Sequence, residues 1–223
     1  MLELKNVYLA YNREYYALFD VNLTLKKGDH LALIGETGSG KTALLRAISG
    51  LEKLNKGDIY INSTNLNKID FENDISLGYI STKPVFFESK TVEKNLQWVL
   101  KQRNIDKVFW EGIITQVLED YQISHLRKVR INTLCRSDKR LVQIARLALR
   151  PLDILLCDEC EIERDFTTNE KLNNALRELV NSEKKDKIVI IAYAKESDCD
   201  WELVNKKIYM HLGSLEENQI EEK

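Results

Sequence analysis

Proline is nearly absent from this sequence, with two in 223 residues, and glycine is scarce, with nine. No repeat, linker or low-complexity block divides the chain, so a long disordered protein is excluded on composition. A charge excess is missing too: 33 basic residues face 35 acidic ones, leaving −2. Without a basic surplus or a local basic patch, nothing drives nucleic-acid binding. No apolar run approaches the roughly 20 residues needed to cross a bilayer; the longest is Ile188 to Ala194, and any membrane role is expected to be peripheral. Met1 to Tyr11 carries no charged segment followed by an apolar block, hence no secretory signal, and a cytoplasmic location is expected. The cysteines, Cys135, Cys157, Cys160 and Cys199, include a C-x-x-C at 157 to 160. It follows the apolar Ile154-Leu155-Leu156, so buried thiols in a reducing compartment are expected rather than a metal or redox pair.

What is present is 43% hydrophobic and 30% charged residues in a chain long enough for one large domain with a real core. Leu2, Leu4 and then Val21, Leu23 and Leu25 alternate with polar residues and predict β-structure, followed by a turn at Lys27-Gly28-Asp29 and an apolar strand from His30 to Ile34. Leu44, Leu45 and Ile48 keep helical spacing until Gly50. Strands are expected again at Ile59 to Ile61 and Leu77 to Ile80. From about 91 to 149 the apolar period becomes helical, through Val92, Leu96, Val99 and Leu100, then Trp110 to Tyr121, then Leu141 to Ala148. Those stripes read as core, and Trp98 and Trp110 with them. Strand and helix then alternate, with Ile154 to Cys157, a helix carrying Leu172 to Leu179, Ile188 to Ala192, and Lys207 to His211. This rhythm belongs to a parallel sheet. Glu216 to Lys223 reads as a solvated acidic end.

Three of the nine glycines fall within Gly35-Glu36-Thr37-Gly38-Ser39-Gly40-Lys41-Thr42, which fits G-x-x-x-x-G-K-[ST] between a strand and a helix. Glycines let successive N–H groups curl around phosphate oxygens, and the helix start adds positive charge. Lys41 is expected to neutralise the β- and γ-phosphates of a nucleotide, and Thr42 to offer its hydroxyl to Mg²⁺. Ile154-Leu155-Leu156-Cys157-Asp158-Glu159 delivers two carboxylates at the end of an apolar strand, where such sheets place ligands. Asp158 is expected to serve the metal, and Glu159 to polarise the attacking water.

With these two motifs in place, the whole chain resembles the nucleotide-binding subunits of ATP-binding-cassette (ABC) transporters. The resemblance implies an α/β P-loop NTPase (RecA-like) core with an N-terminal antiparallel β-subdomain and an inserted α-helical subdomain. Residues 1–223 would form a single ABC ATPase domain, with the helical insert at about 88–148. It implies ATP and Mg²⁺ as cofactors, and Tyr11 as the ring stacked on adenine, with Tyr15 and Tyr16 close by. It also implies a second ABC ATPase subunit, identical or different, and a separate transmembrane permease that would hold the chain at the inner face of the membrane.

The chain departs from the family's pattern at defined places. In the family the signature precedes the Walker B aspartate, matched here by Asp158, by 24 residues. Leu134 stands there, with Ile144-Ala145-Arg146 in register, but Ser-Gly-Gly-Gln reads Cys135-Arg136-Ser137-Asp138, and no glycine occurs from 113 to 212. The glutamine that lines the metal site is Thr82. Cys160 to Asp165 keeps only Asp165 of the usual run after the carboxylates. Tyr193 or Ala194 stands at the switch histidine, and His30, His125 and His211 are misplaced for that role. The expected activity is ATP-driven dimer closure on a membrane partner, weak alone and with one degenerate half-site. The alternative is a low-turnover regulatory or scaffold module.

Overall fold

The computed structural model describes every residue except 12–14, 72, 159–165, 183–185, 217–220 and 223. Two compact units result: Met1–Thr82 with Leu152–Glu161 and Lys184–Lys223, and Lys83–Pro151 with Ile162–Glu183.

In the first unit β1 (Leu2–Ala10) pairs antiparallel with β2 (Tyr16–Leu25), and β3 (His30–Ile34) leads into α1 (Lys41–Ile48). The chain continues through β4 (Lys56–Ile61), β5 (Thr64–Asn65) and β6 (Leu77–Ile80), returns after three helices of the second unit for β7 (Ile154–Cys157) and, after the fourth, for β8 (Ile188–Tyr193), β9 (Lys206–His211), β10 (Ser214–Leu215) and β11 (Glu221–Glu222). One sheet is antiparallel, in the order β2-β1-β4-β5. The other runs β10-β9-β3-β8-β7-β6, parallel from β9 to β6, with β10 and β11 antiparallel to β9.

Burial explains the difference between the two sheets. In β1, Leu2, Leu4, Val7 and Leu9 point inward and the intervening residues are more exposed; β7 and β8 are buried at every position, as strands covered on both faces are. Leu2, Leu25, Leu33, Leu45, Ile48, Leu156 and Ile190 share one core cluster. The parallel order sets the ends of β3 and β7 on either side of β8, so the loops that follow them open at the same edge of the sheet.

The second unit holds α2 (Val92–Gln102), α3 (Trp110–Asp120), α4 (Arg136–Ala148) and α5 (Phe166–Asn181). Thr91 caps α2 by accepting from the Lys94 N–H. Glu93 at the start of α2 accepts from Arg127 and Lys128, and Arg127 also reaches Glu111 and Thr115 on α3.

Three expectations change. The acidic end is not simply solvated: Glu221–Glu222 adds β11 to the edge of β9, whose open backbone groups recruit a strand whatever its side chains. Cys135 is exposed, while Cys157 and Cys199 are buried and Cys160 lies outside the described residues. Trp98 is also exposed, edge-on to Phe87, whereas Trp110 is half-buried and donates its indole N–H to the Ile105 carbonyl.

Candidate functional site: a phosphate loop facing a buried aspartate

The turn between β3 and α1 is shaped by what its glycines allow. Gly40, the N-cap of α1, has φ of +110°, and a Cβ there would stand 2.6 Å from the Ala17 carbonyl oxygen and 2.8 Å from Met210 Cε. At Gly35 a Cβ would stand 2.4 Å from the Met210 oxygen. Only glycine fits both places. The Gly35 N–H donates to the Tyr193 carbonyl and so fastens the loop to the end of β8.

Lys41 opens α1 and is 3% exposed. Its ammonium curls back to donate to the carbonyls of Gly35 at 2.6 Å and Glu36 at 2.9 Å, with Ser39 Oγ at 3.5 Å. A buried cation needs such partners, and here they place its charge inside the loop. Thr37 and Gly38 complete the turn, and the Tyr15 hydroxyl approaches the Gly38 carbonyl at 3.5 Å.

Thr42 follows on α1 and donates its hydroxyl to Asp158 Oδ1 at 2.8 Å. Asp158 lies just past β7, is 1% exposed, and its N–H donates to the Ile80 carbonyl. Its other oxygen, Oδ2, accepts from the Tyr79 hydroxyl at 3.1 Å. Burial first, and then the carboxylate beside it, raise the Tyr79 hydroxyl far above its ordinary range, so the phenol stays a neutral donor. The structure thus brings Gly35 to Thr42 together with Asp158. Glu159 lies outside the described residues. Thr82 is half-buried at the end of the first unit, and Tyr11 is 60% exposed beyond β1.

Could this set hold a magnesium nucleotide? The loop is a concave backbone turn at a helix N-terminus with a lysine inside it, which suits phosphate. Thr42 Oγ1 and Asp158 Oδ1 are hard oxygen donors in contact, the type magnesium takes when it shares its shell with phosphate and water. Among the described residues no three His, Cys, Asp or Glu side chains form a metal cage. The residues fit the group.

The sequence profile of the ABC transporter family matches residues 18–161, well over half of the chain. The chain belongs to that family. The methionine import ATP-binding protein MetN of Helicobacter pylori is 30% identical over 227 residues, covering 100% of this chain and 68% of the relative. The Fe(3+) ions import ATP-binding protein FbpC of Fusobacterium nucleatum is 29% identical over 163 residues, covering 73% of this chain and 44% of the relative. The chain thus spans about two thirds of the MetN relative and less than half of FbpC. Among solved structures, the dimeric ABC transporter cassette MJ0796 has a TM-score of 0.83 at 23% identity over 100% of both chains. The cbiO1 structure from Clostridium perfringens, part of the ABC transporter complex cbiONQ, has a TM-score of 0.77 at 21% identity, covering 96% of this chain and 86% of that one. These structures establish the α/β P-loop ATPase fold, and the family makes this an ATP-binding, ATPase-type subunit.

The start of α4, where the sequence reading expects the signature, is also described. Cys135 is the N-cap of α4, its sulfur accepting from the Asp138 N–H at 3.5 Å and lying 3.2 Å from Ser137 Oγ. In this ABC chain the Cys135 thiol thus faces its own helix. Of the two residues expected at the switch position, Tyr193 closes β8 buried and Ala194 beyond it is exposed. Sequence reasoning missed the Tyr79 hydroxyl. A general signal existed, since a tyrosine in an apolar strand must find a partner for its hydroxyl, but it does not name the partner.

Proposed function

We propose that the chain is the ATP-hydrolysing subunit of an ABC import system. In this reading ATP binding and dimer closure act on a separate membrane permease, and the half-site this chain lends its partner is degenerate. The observation that carries the reading is the Thr42 contact with Asp158 beside a lysine enclosed by the glycine loop.

The residues would work as follows. The N–H groups of Gly38 to Thr42 and the Lys41 ammonium would take the β- and γ-phosphates, and Tyr11, or Tyr15 near the loop, would carry the adenine. Thr42 and Asp158 would hold Mg²⁺, which when bound neutralises charge gathering on the phosphate oxygens. Glu159 follows Asp158 and would orient the attacking water and take its proton. Thr82, shorter than the family's glutamine, would reach less far toward that water. Import as the direction is supported by the MetN and FbpC relatives; which molecule is carried is a separate question.

A partner cassette with an intact signature would complete the site built on Lys41, leaving the reciprocal site silent. A homodimer would carry two defective sites. The low-turnover scaffold reading is favoured by one observation, the self-capped Cys135. Titrating a fluorescent ATP analogue against the wild type and Lys41→Ala tests the first step; about 30-fold or greater loss in the variant is expected, and equal affinity would end the proposal. Turnover by the chain alone should be slow. Its appearance on adding a second cassette would reject the scaffold.

The permease would be met by the segment after Thr82, where Val85 and Phe87 are exposed and Phe86 is half-buried under the Arg146 guanidinium, 4.5 Å from its ring. The permease would hold the chain at the inner face of the membrane; no described helix is long and apolar enough to cross one itself. Val85→Glu together with Phe87→Glu should weaken capture of the permease while ATP affinity stays constant.

A further inference from the structure

We propose that Tyr79 is a positioning residue for Asp158, fixing which carboxylate oxygen is presented to Thr42 and the metal. The inference rests on the reading of Thr42 and Asp158 just given and names the group on which their geometry depends. β6 and β7 pair in parallel with Tyr79 opposite Leu156 and Ile80 opposite Cys157, so the Tyr79 ring lies alongside the last residues before Asp158. The Asp158 N–H is tied to the Ile80 carbonyl at 2.8 Å, which sets the backbone. That bond leaves the side chain to choose, because the last torsion of an aspartate is broad. Two hydroxyls on different elements make the choice: Thr42 of α1 donates to Oδ1 at 2.8 Å and Tyr79 of β6 to Oδ2 at 3.1 Å.

A core role alone does not account for the tyrosine. Its ring packs against the cluster that contains Leu45 and Leu156, and phenylalanine would fill that space equally well. The hydroxyl adds a donor for a carboxylate that is 1% exposed and is stabilised there by hydrogen bonds. It also occupies Oδ2, so that Oδ1 is the oxygen turned toward α1. Groups that hold a metal-binding carboxylate in this way typically govern affinity by about 10- to 100-fold.

The test is Tyr79→Phe, which keeps the ring. Mn²⁺ binding in the presence of a non-hydrolysable ATP analogue is followed by electron paramagnetic resonance, and binding of the analogue alone is measured in EDTA. The metal dissociation constant should rise about tenfold or more, with EDTA affinity within about twofold of wild type. Adding Tyr79→Phe to Asp158→Asn should cause no further loss. Wild-type metal affinity in Tyr79→Phe, with Asp158→Asn impaired, would remove the tyrosine from the site and leave the reading of Asp158 standing. Unimpaired metal binding in Asp158→Asn would sink both. Parallel loss of metal and EDTA affinity with a lowered unfolding midpoint would reduce Tyr79 to a packing residue and overturn the proposal as well.

Discussion

At the scale of single residues, the loop's geometry depends on atoms that are missing. Gly40→Ala adds one methyl at φ +110°, 2.6 Å from the Ala17 carbonyl; the backbone must either shift or stay strained. A loss of about 1–3 kcal/mol in urea unfolding is expected, with at least tenfold weaker binding of a fluorescent ATP analogue because the turn no longer closes around phosphate. His30 gives a second, pH-dependent expectation. Its Nδ1 lies 3.0 Å from the Leu203 carbonyl and therefore carries the proton, leaving Nε2 buried without a hydrogen-bond partner among the described residues. Burial, reinforced by Lys187, lowers its pKa against the opposing pull of the Leu203 bond and Asp29. The unfolded chain thus takes up a proton near the ordinary 6.5 while the folded one resists it, and stability falls as pH drops through that value. Urea midpoints at pH 7.5, 6.5 and 5.5 should decline for wild type and decline less steeply for His30→Asn.

At the scale of elements, Arg146 joins α4 to the segment after Thr82, stacking on Phe86 and donating to the Val85 carbonyl at 2.7 Å. Arg146→Leu removes both contacts, so residues 84–87 should exchange amide hydrogen faster, at a cost of about 1–2 kcal/mol in unfolding free energy. Unchanged exchange there would show that other contacts hold the segment. The same distinction between pattern and contact explains what could be read without coordinates. Strands β3, β7 and β8 and helices α1 to α4 were legible because burying one face, or both, writes a period into the residues. β10 and β11 were not, since two-residue strands join an edge through backbone groups that every sequence possesses. Within the candidate site, Gly35 to Thr42 and Asp158 were legible as motifs. The Tyr79 contact was not, because it follows from the register of β6 on β7, which spacing along the chain does not encode. Phe87 and Trp98 kept helical or apolar spacing yet lie exposed, as happens when a surface pairs aromatics with each other rather than with the core.

At the scale of the whole molecule, the proposed function makes hydrolysis a property of a dimer, with the proposed defect in what each copy would offer the other. Cys135 spends its side chain on the Asp138 N–H and Asp138 sets a negative charge in the first turn of α4; in the proposed function Arg136 would fill space where glycine would admit phosphate. Restoring the family's residues with Cys135→Ser, Arg136→Gly, Ser137→Gly and Asp138→Gln therefore supplies the donors and removes the repulsion together. Each recovered donor of this kind is worth about 3 kcal/mol, or about two orders of magnitude in rate, so phosphate release by the purified chain should rise at least about 100-fold and depend cooperatively on ATP. The change is not free for the fold: two glycines at the start of α4 lose about 1 kcal/mol each, partly offset by serine as a better cap, and a slightly lower melting temperature should accompany the faster turnover. ATP affinity should hardly move, because the loop around Lys41 is untouched. If turnover stays slow while the restored chain dimerises on ATP in sedimentation runs, the signature is acquitted, and the limiting substitutions are Thr82 and the residue at the end of β8.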